Sequence, residues 1–187
     1  KLGILGGNGL GKSTFLKTIV GKIPALSGEY RFGTNVQIGY FDQQMAMYTS
    51  NKTVLDDFWD EYPNLTETEA RNALGAFLFS GEDVFKNVNM LSGGEKVRLA
   101  LCKILKTRPN VLVLDEPTNH MDIVGKETLE SMLKDYKGTL IFVSHDRYFV
   151  KKVATQLLVF EDGTTNLYQF GYEPVSYTHL RAHETGR

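Results

Sequence analysis

The sequence predicts an α/β fold with a mixed sheet core, and three observations carry that prediction. A glycine-rich turn, Gly6-Gly7-Asn8-Gly9-Leu10-Gly11, joins an apolar strand at residues 1–5 to a helical stretch at 12–20. A second apolar strand, residues 111–114, runs straight into two acids, Asp115 and Glu116. Along the chain, stretches of strand character alternate with stretches of helical periodicity, the pattern of a sheet covered by helices.

Size and composition fit one such domain. The chain has 187 residues and 42% apolar content, enough for a packed core. Its net charge of −1 carries no electrostatic signature for nucleic acid, so a contact with RNA would have to come from residues elsewhere in a parent protein. The single cysteine, Cys102, excludes an internal disulfide and reads as a small buried residue on a helix. No apolar run is long enough to cross a bilayer, so direct membrane insertion is not expected.

In chain order, the first strand feeds the glycine-rich turn and its helix. Residues 29–32 and 36–41 are expected to pair as a hairpin around Gly33-Thr34-Asn35. Residues 53–61 read as a short helix, and Thr66-Glu67-Thr68-Glu69 as a capping box opening another. The apolar residues Ala70, Ala73, Leu74, Phe77 and Leu78 recur at helical spacing and, with Trp59, are assigned to the core. A helix over 97–107 is stopped by Pro109, and another over 127–136 runs to a cap at Gly138. Residues 139–143 supply the strand before His145, and Asp162-Gly163 predicts a hairpin turn between the stretches 157–160 and 165–168.

The first turn matches the phosphate-loop pattern of glycine, four residues, then Gly-Lys-Ser/Thr. Gly6, Gly7, Gly9 and Gly11 lack a Cβ, so the loop around Asn8 can bring backbone N–H groups against phosphates. The helix start adds partial positive charge and unpaired donors at the same point. In this pattern Lys12 reaches the β- and γ-phosphates, Ser13 ligates Mg²⁺ and Thr14 lies near the α-phosphate. A glycine-rich turn with an ordinary lysine is the bland alternative, and the strand and helix on either side argue against it. Unpaired carboxylates beside a buried strand are costly, so a metal and a water are natural partners for Asp115 and Glu116. Asp115 is the expected Mg²⁺ contact and Glu116 the group that polarises an attacking water. The other common use of an acid at a strand end is a helix cap or turn.

Leu91-Ser92-Gly93-Gly94-Glu95 resembles the signature of the ATP-binding-cassette family. That resemblance implies that Ser92 and the backbone of Gly93 and Gly94 face the γ-phosphate of a nucleotide held by an opposite cassette. Gln43 resembles the Q-loop glutamine, a contact to Mg²⁺ that couples the nucleotide to a helical subdomain. Thr118-Asn119-His120-Met121-Asp122 resembles the D-loop, and His145 the switch histidine that touches the γ-phosphate. The motifs fall in family order over residues 1–170. They imply a P-loop ATPase domain of the ABC type, with ATP and Mg²⁺ as cofactors, Glu116 and His145 as catalytic groups, and a helical subdomain at about residues 50–106.

The subtype is legible in three strings. Glu95 follows the signature glycines where transporter domains usually have Gln, and the stretches Glu116 to Asp122 and Val143 to Phe149 are similar to the ABC-F branch. Met121 and Gly7 depart from the usual residues without removing a functional group. The resemblance implies a cytoplasmic protein with two cassettes that acts on the ribosome, as a translation factor or in antibiotic protection. A transporter's nucleotide-binding subunit is the rival. About four dozen residues separate Gln43 from Leu91, too few for the extra helical hairpin typical of a first cassette, so a second cassette is expected. Its partner is another cassette, in the same polypeptide or as a head-to-tail second copy.

Both ends read as artificial boundaries. Lys1 falls inside a strand, and the sheet and adenine-stacking aromatic that precede it in the family are expected upstream. The cassette is assigned to 1–173, closing on the aromatic segment Phe170-Gly171-Tyr172-Glu173. Residues 174–187 resemble a translated sequencing adapter and are left out of fold reasoning. His179 and His183, spaced four apart there, lack a third ligand and are not read as a metal site.

Overall fold

The computed structural model describes residues 1–169. Six strands make one sheet in the order β2-β3-β4-β1-β5-β6. They are β1 (Leu2–Gly6), β2 (Ile38–Phe41), β3 (Val111–Asp115), β4 (Thr139–Val143), β5 (Gln156–Glu161) and β6 (Thr164–Gln169). Every neighbouring pair is parallel except β5 and β6, so the sheet is mixed, as the sequence predicts.

Strand β3 shows how the layers form. All five of its residues are buried. Val111 and Val113 point into a cluster with Ile4, Tyr40, Val143 and Leu16, the last from α1 (Lys12–Ile19). Leu112 and Leu114 point the other way, the alternation expected of a strand buried on both faces. On that second face lie α2 (Val54–Glu61), α3 (Glu67–Ala76), α4 (Gly93–Lys106), α5 (Ile123–Asp135) and α6 (Arg147–Val153). They contribute Phe58, Leu74, Leu101, Leu133 and Phe149 in turn to one cluster with Phe142. Each such side chain gains about 1.5–3 kcal/mol from burial. Cys102 lies in this layer, and burial pushes its thiol up to about 12.

The helix starts are set locally. Thr53, Thr66, Ser92, Asp122 and Asp146 each accept a backbone N–H in the first turn of α2 to α6. Thr66 takes the Glu69 N–H, which is one of the two bonds of the expected box. A reciprocal box forms at Ser92 and Glu95, within the signature.

Several expectations are corrected. Residues 29–35 are exposed and form no strand; only Ile38–Phe41 does, and it pairs in parallel with β3. β2 bonds to β3 on one side, and residues 29–32 add no ladder to its other side. The chain is tied instead to Asn110, which accepts from Gln37 N and donates to Asn35 O. Helices α4 and α5 each begin four residues before the apolar periodicity suggests, because Ser92 and Asp122 cap them. Gly138 has no left-handed φ; a Cβ there would meet Asn110 O at 2.5 Å, so close backbone approach requires the glycine. Helix α6 was not anticipated, being only seven residues long. The Asp162-Gly163 hairpin forms, with Gly163 at φ 76°. The segment 170–173 and the tail 174–187 lie outside the described residues.

Candidate functional site

Parallel strands share a direction, so the loops that leave their carboxyl ends emerge at one sheet edge. The glycine-rich loop comes after β1, Gln43 lies two residues beyond β2, Asp115 ends β3 with Glu116 next, and His145 lies two residues beyond β4. Open α/β sheets bind ligands at this carboxyl edge.

Gly9 and Gly11 take left-handed φ values of 79° and 91°, which a side chain would resist. Among the described α-helices α1 alone starts without a side-chain cap, and it carries no acid in its first turn. Its first amides are therefore left to a ligand or solvent. Gly7, Asn8, Gly9, Ser13 and Thr14 are exposed there. Lys12 is 7% exposed and its Nζ donates to the carbonyls of Gly6 and Gly7, both at 2.6 Å. Burial lowers its pKa, opposed by the carboxylates of Glu116 and Asp115.

Glu116 is the most constrained residue of the edge. Its φ of 52° is unusual for a residue with a side chain. Its N–H donates to Val143 O at 2.8 Å, and its carbonyl accepts from Gln43 Nε2 at 2.6 Å. The carboxylate accepts from His145 N at 3.2 Å through Oε2. Oε1 lies 3.0 Å from His145 Nε2, within ion-pair range but outside hydrogen-bond alignment, which leaves Oε1 without a hydrogen bond. Burial raises the Glu116 pKa, with His145 and Lys12 opposing and Asp115 adding to the rise.

Asp115 is buried and its Oδ1 has no hydrogen-bond partner. No group of three His, Cys, Asp or Glu able to hold a metal exists among the described residues. A buried carboxylate with an unpartnered oxygen fits Mg²⁺, which takes one or two carboxylates and completes its shell with water and substrate phosphate. Asp115 offers the unpartnered oxygen. Ser13, exposed beside Lys12, and Gln43, whose Oε1 is not used toward Glu116, stand as neutral oxygen donors.

The signature lies at the start of α4. Leu91 is buried and Ser92 exposed; Ser92 Oγ accepts from Glu95 N while Glu95 Oε1 accepts from Ser92 N, both at 3.2 Å. The hydroxyl proton of Ser92 is thereby free to donate. No hydrogen bond or ion pair among the described residues joins 91–95 to the glycine-rich loop. The signature meets the D-loop instead: a Cβ on Gly94 would lie 2.6 Å from His120 O, and His120 itself has φ 64°. Asn119 N donates to Glu116 O at 3.3 Å, and Asp122 caps α5 through Gly125 N at 2.8 Å. The contact between Gly94 and His120 and the bond from Gln43 to Glu116 were not anticipated. The first carries no local signal; for the second, the parallel pairing of Phe41 with Leu114 puts Gln43 beside Glu116.

Comparison with known proteins agrees with this edge. The family model described as ABC transporter matches residues 1–119. The ATP-binding protein YdiF of Bacillus subtilis is 56% identical over 155 residues, covering 83% of this chain and 24% of the relative. The ATP-binding protein Uup of Haemophilus influenzae is 43% identical, covering 92% and 27%. ABC transporter F family member 5 of Arabidopsis thaliana is 43% identical, covering 92% and 25%. The chain thus spans about a quarter of the length of these curated relatives. Among solved structures, a dimeric ATP-binding cassette in a post-hydrolysis state with ADP and phosphate superposes with a TM-score of 0.72 at 22% identity, covering 91% of this chain and 86% of that one. At that identity the likeness speaks for the fold.

Proposed function

The chain belongs to the ABC transporter family and is an ATP-binding cassette; from that premise we propose that it hydrolyses ATP as one half of a two-cassette, ABC-F-type protein acting on the ribosome. The observation that carries the ATPase reading is the convergence of the glycine-rich loop, the Asp115 and Glu116 pair and His145 on one sheet edge.

In this reading the loop amides from Gly6 to Lys12 and the start of α1 hold the triphosphate. Lys12 exchanges the carbonyls of Gly6 and Gly7 for β- and γ-phosphate oxygens. Ser13, Asp115 and Gln43 would hold Mg²⁺, which neutralises charge on the transferred phosphoryl group. Glu116 orients the attacking water, and its raised pKa suits a group that must take up a proton. His145, exposed and adjacent, contacts the γ-phosphate. Ser92, Gly93 and Gly94 serve the nucleotide of the partner cassette, framed by Leu91 and Glu95, with Asn119 and Asp122 in the D-loop at the same face.

The F-type assignment is supported by relatives 43% identical over 92% of the chain, one of them an F family member. Ribosomal action and a cytoplasmic location rest on the ABC-F resemblance. No described helix is long and apolar enough to cross a membrane.

Phosphate release measured against concentration tests the paired site. The isolated chain should turn over near background, and joining it to a second cassette should restore activity. Activity per molecule that survives dilution and ignores Ser92→Arg would overturn the two-cassette reading. For the ribosome, the parent protein with Glu116→Gln should co-sediment with ribosomes when ATP is added. No ATP-dependent association would move the assignment to transport.

A further inference from the structure

We infer that Gln43 is a positioning residue for Glu116, acting through the Glu116 backbone carbonyl in addition to any contact with the metal. The inference rests on the ATPase reading for its consequence in turnover, but its geometric basis is independent of that reading.

Glu116 holds a left-handed φ of 52°, a conformation that a residue with a Cβ keeps only when its surroundings over-determine it. Three elements fix it: β4 through the bond from Glu116 N to Val143 O, the D-loop through Asn119 N at 3.3 Å, and Gln43 Nε2 at 2.6 Å. The Gln43 bond is the shorter of the two on the carbonyl, and it alone reaches that atom from the turn after another strand, 73 residues away. A carbonyl oxygen only accepts, so the amide nitrogen must face it and the amide oxygen is left for other partners.

The mounting of Gln43 is rigid. Asp42, buried beside it, accepts from Gln44 N at 3.0 Å and Met45 N at 3.4 Å through Oδ1, and from the Tyr40 hydroxyl at 3.1 Å through Oδ2. The parallel register of Phe41 with Leu114 then carries Gln43 level with Glu116. Gln43 thus uses one amide end on the Glu116 backbone and keeps the other for the metal shell. A shift of the Gln43 turn moves the carboxylate that His145 N holds.

Two variants separate this role from metal ligation. Gln43→Glu keeps an oxygen for the metal and removes the N–H donor; Gln43→Ala removes both. In the two-cassette protein, Gln43→Glu should leave the Mg²⁺ concentration for half-maximal activity unchanged or lower, while kcat falls at least tenfold and ATP affinity stays within twofold. A kcat near that of the parent would overturn the inference. A crystal structure of the Gln43→Ala chain provides the readout that needs no activity. Glu116 should leave the left-handed region or lose its bond from His145 N; a φ still near 52° with that bond intact would refute the positioning role. Should the parent show no hydrolysis, the ATPase reading fails, and the crystal structure still decides the role of Gln43.

Discussion

Lys12 at the sheet edge and Lys103 among the helices are both largely withdrawn from solvent, yet their surroundings push them in opposite directions. Burial lowers the pKa of Lys12, and the nearby carboxylates of Glu116 and Asp115 do not compensate; its protons go to two carbonyl oxygens. Burial acts on Lys103 too, but Asp57 at 2.6 Å and Glu61 at 3.0 Å outweigh it and the pKa rises. The acids differ in the same way. Asp57 Oδ1 accepts from the Tyr48 hydroxyl at 2.7 Å, and its Oδ2, although outside hydrogen-bond alignment, touches the Lys103 ammonium. Asp115 Oδ1 has no partner, and Glu116 Oε1 only an unaligned imidazole. The helical cluster is electrostatically closed, whereas the sheet edge is open to a charged ligand.

At the open edge, the acid and the base should each break a different property. Glu116→Gln in the two-cassette protein should lower hydrolysis by roughly 10²- to 10⁴-fold while ATP binding persists. Lys12→Ala should weaken binding itself. Phosphate release and calorimetric titration with Mg-ATP separate the two, and a Glu116→Gln protein hydrolysing at the parent rate would remove Glu116 from its role.

The second contrast is in stability. Lys103→Met leaves the buried Asp57 unpaired and should cost about 3–5 kcal/mol in urea unfolding. Lys12→Met, at the open edge, should change stability by less than about 1 kcal/mol, as expected where charge serves function. Similar losses for both would erase the distinction between a closed and an open cluster.

Smaller effects come from the caps and from protonation. Ser92→Ala removes the acceptor for Glu95 N and should cost about 1 kcal/mol. Thermal melts check this beside Thr53→Ala, which loses the equivalent bond in α2 and should leave hydrolysis far less affected.

Protonation should act with opposite signs at Glu116 and Asp146. Burial raises the folded pKa of Glu116, so ionising it disfavours the folded state; its contribution improves as pH falls through that raised value and is complete below the unfolded one. Asp146 resists the upward pull of burial, because Phe149 N and Lys126 hold its carboxyl below the ordinary range. Its contribution is present above the unfolded pKa and is lost as pH falls through the folded one. Glu116→Gln should therefore flatten a stabilising acid limb and Asp146→Asn a destabilising one, in unfolding followed from pH 7 to 3.

Much of this was legible in the residues. The glycine-rich loop, the strand ending in Asp115, the capped helices and the Asp162-Gly163 hairpin are each specified within a few residues. So are Thr53 and Thr66, whose hydroxyls reach amides three positions on. The sequence marks Ser92 only as part of the signature; the structure shows that it also caps α4. The failures have a common form. Residues 29–32 carry strand-like composition but join no ladder, and Gly138 sits where a helix cap is common but serves close packing.

Local chemistry decided which groups this chain offers: a loop that favours phosphate, two acids at the end of a buried strand, and a serine that starts a helix. Hydrogen bonds and dihedral preferences within a few residues are enough for that. Only the tertiary structure decided how those groups meet. The parallel register brings Gln43 to the Glu116 carbonyl, β4 delivers His145 to its carboxylate, and Gly94 lets α4 rest on His120. Such contacts join residues far apart in sequence, and their energies depend on pairing and burial that no short segment contains.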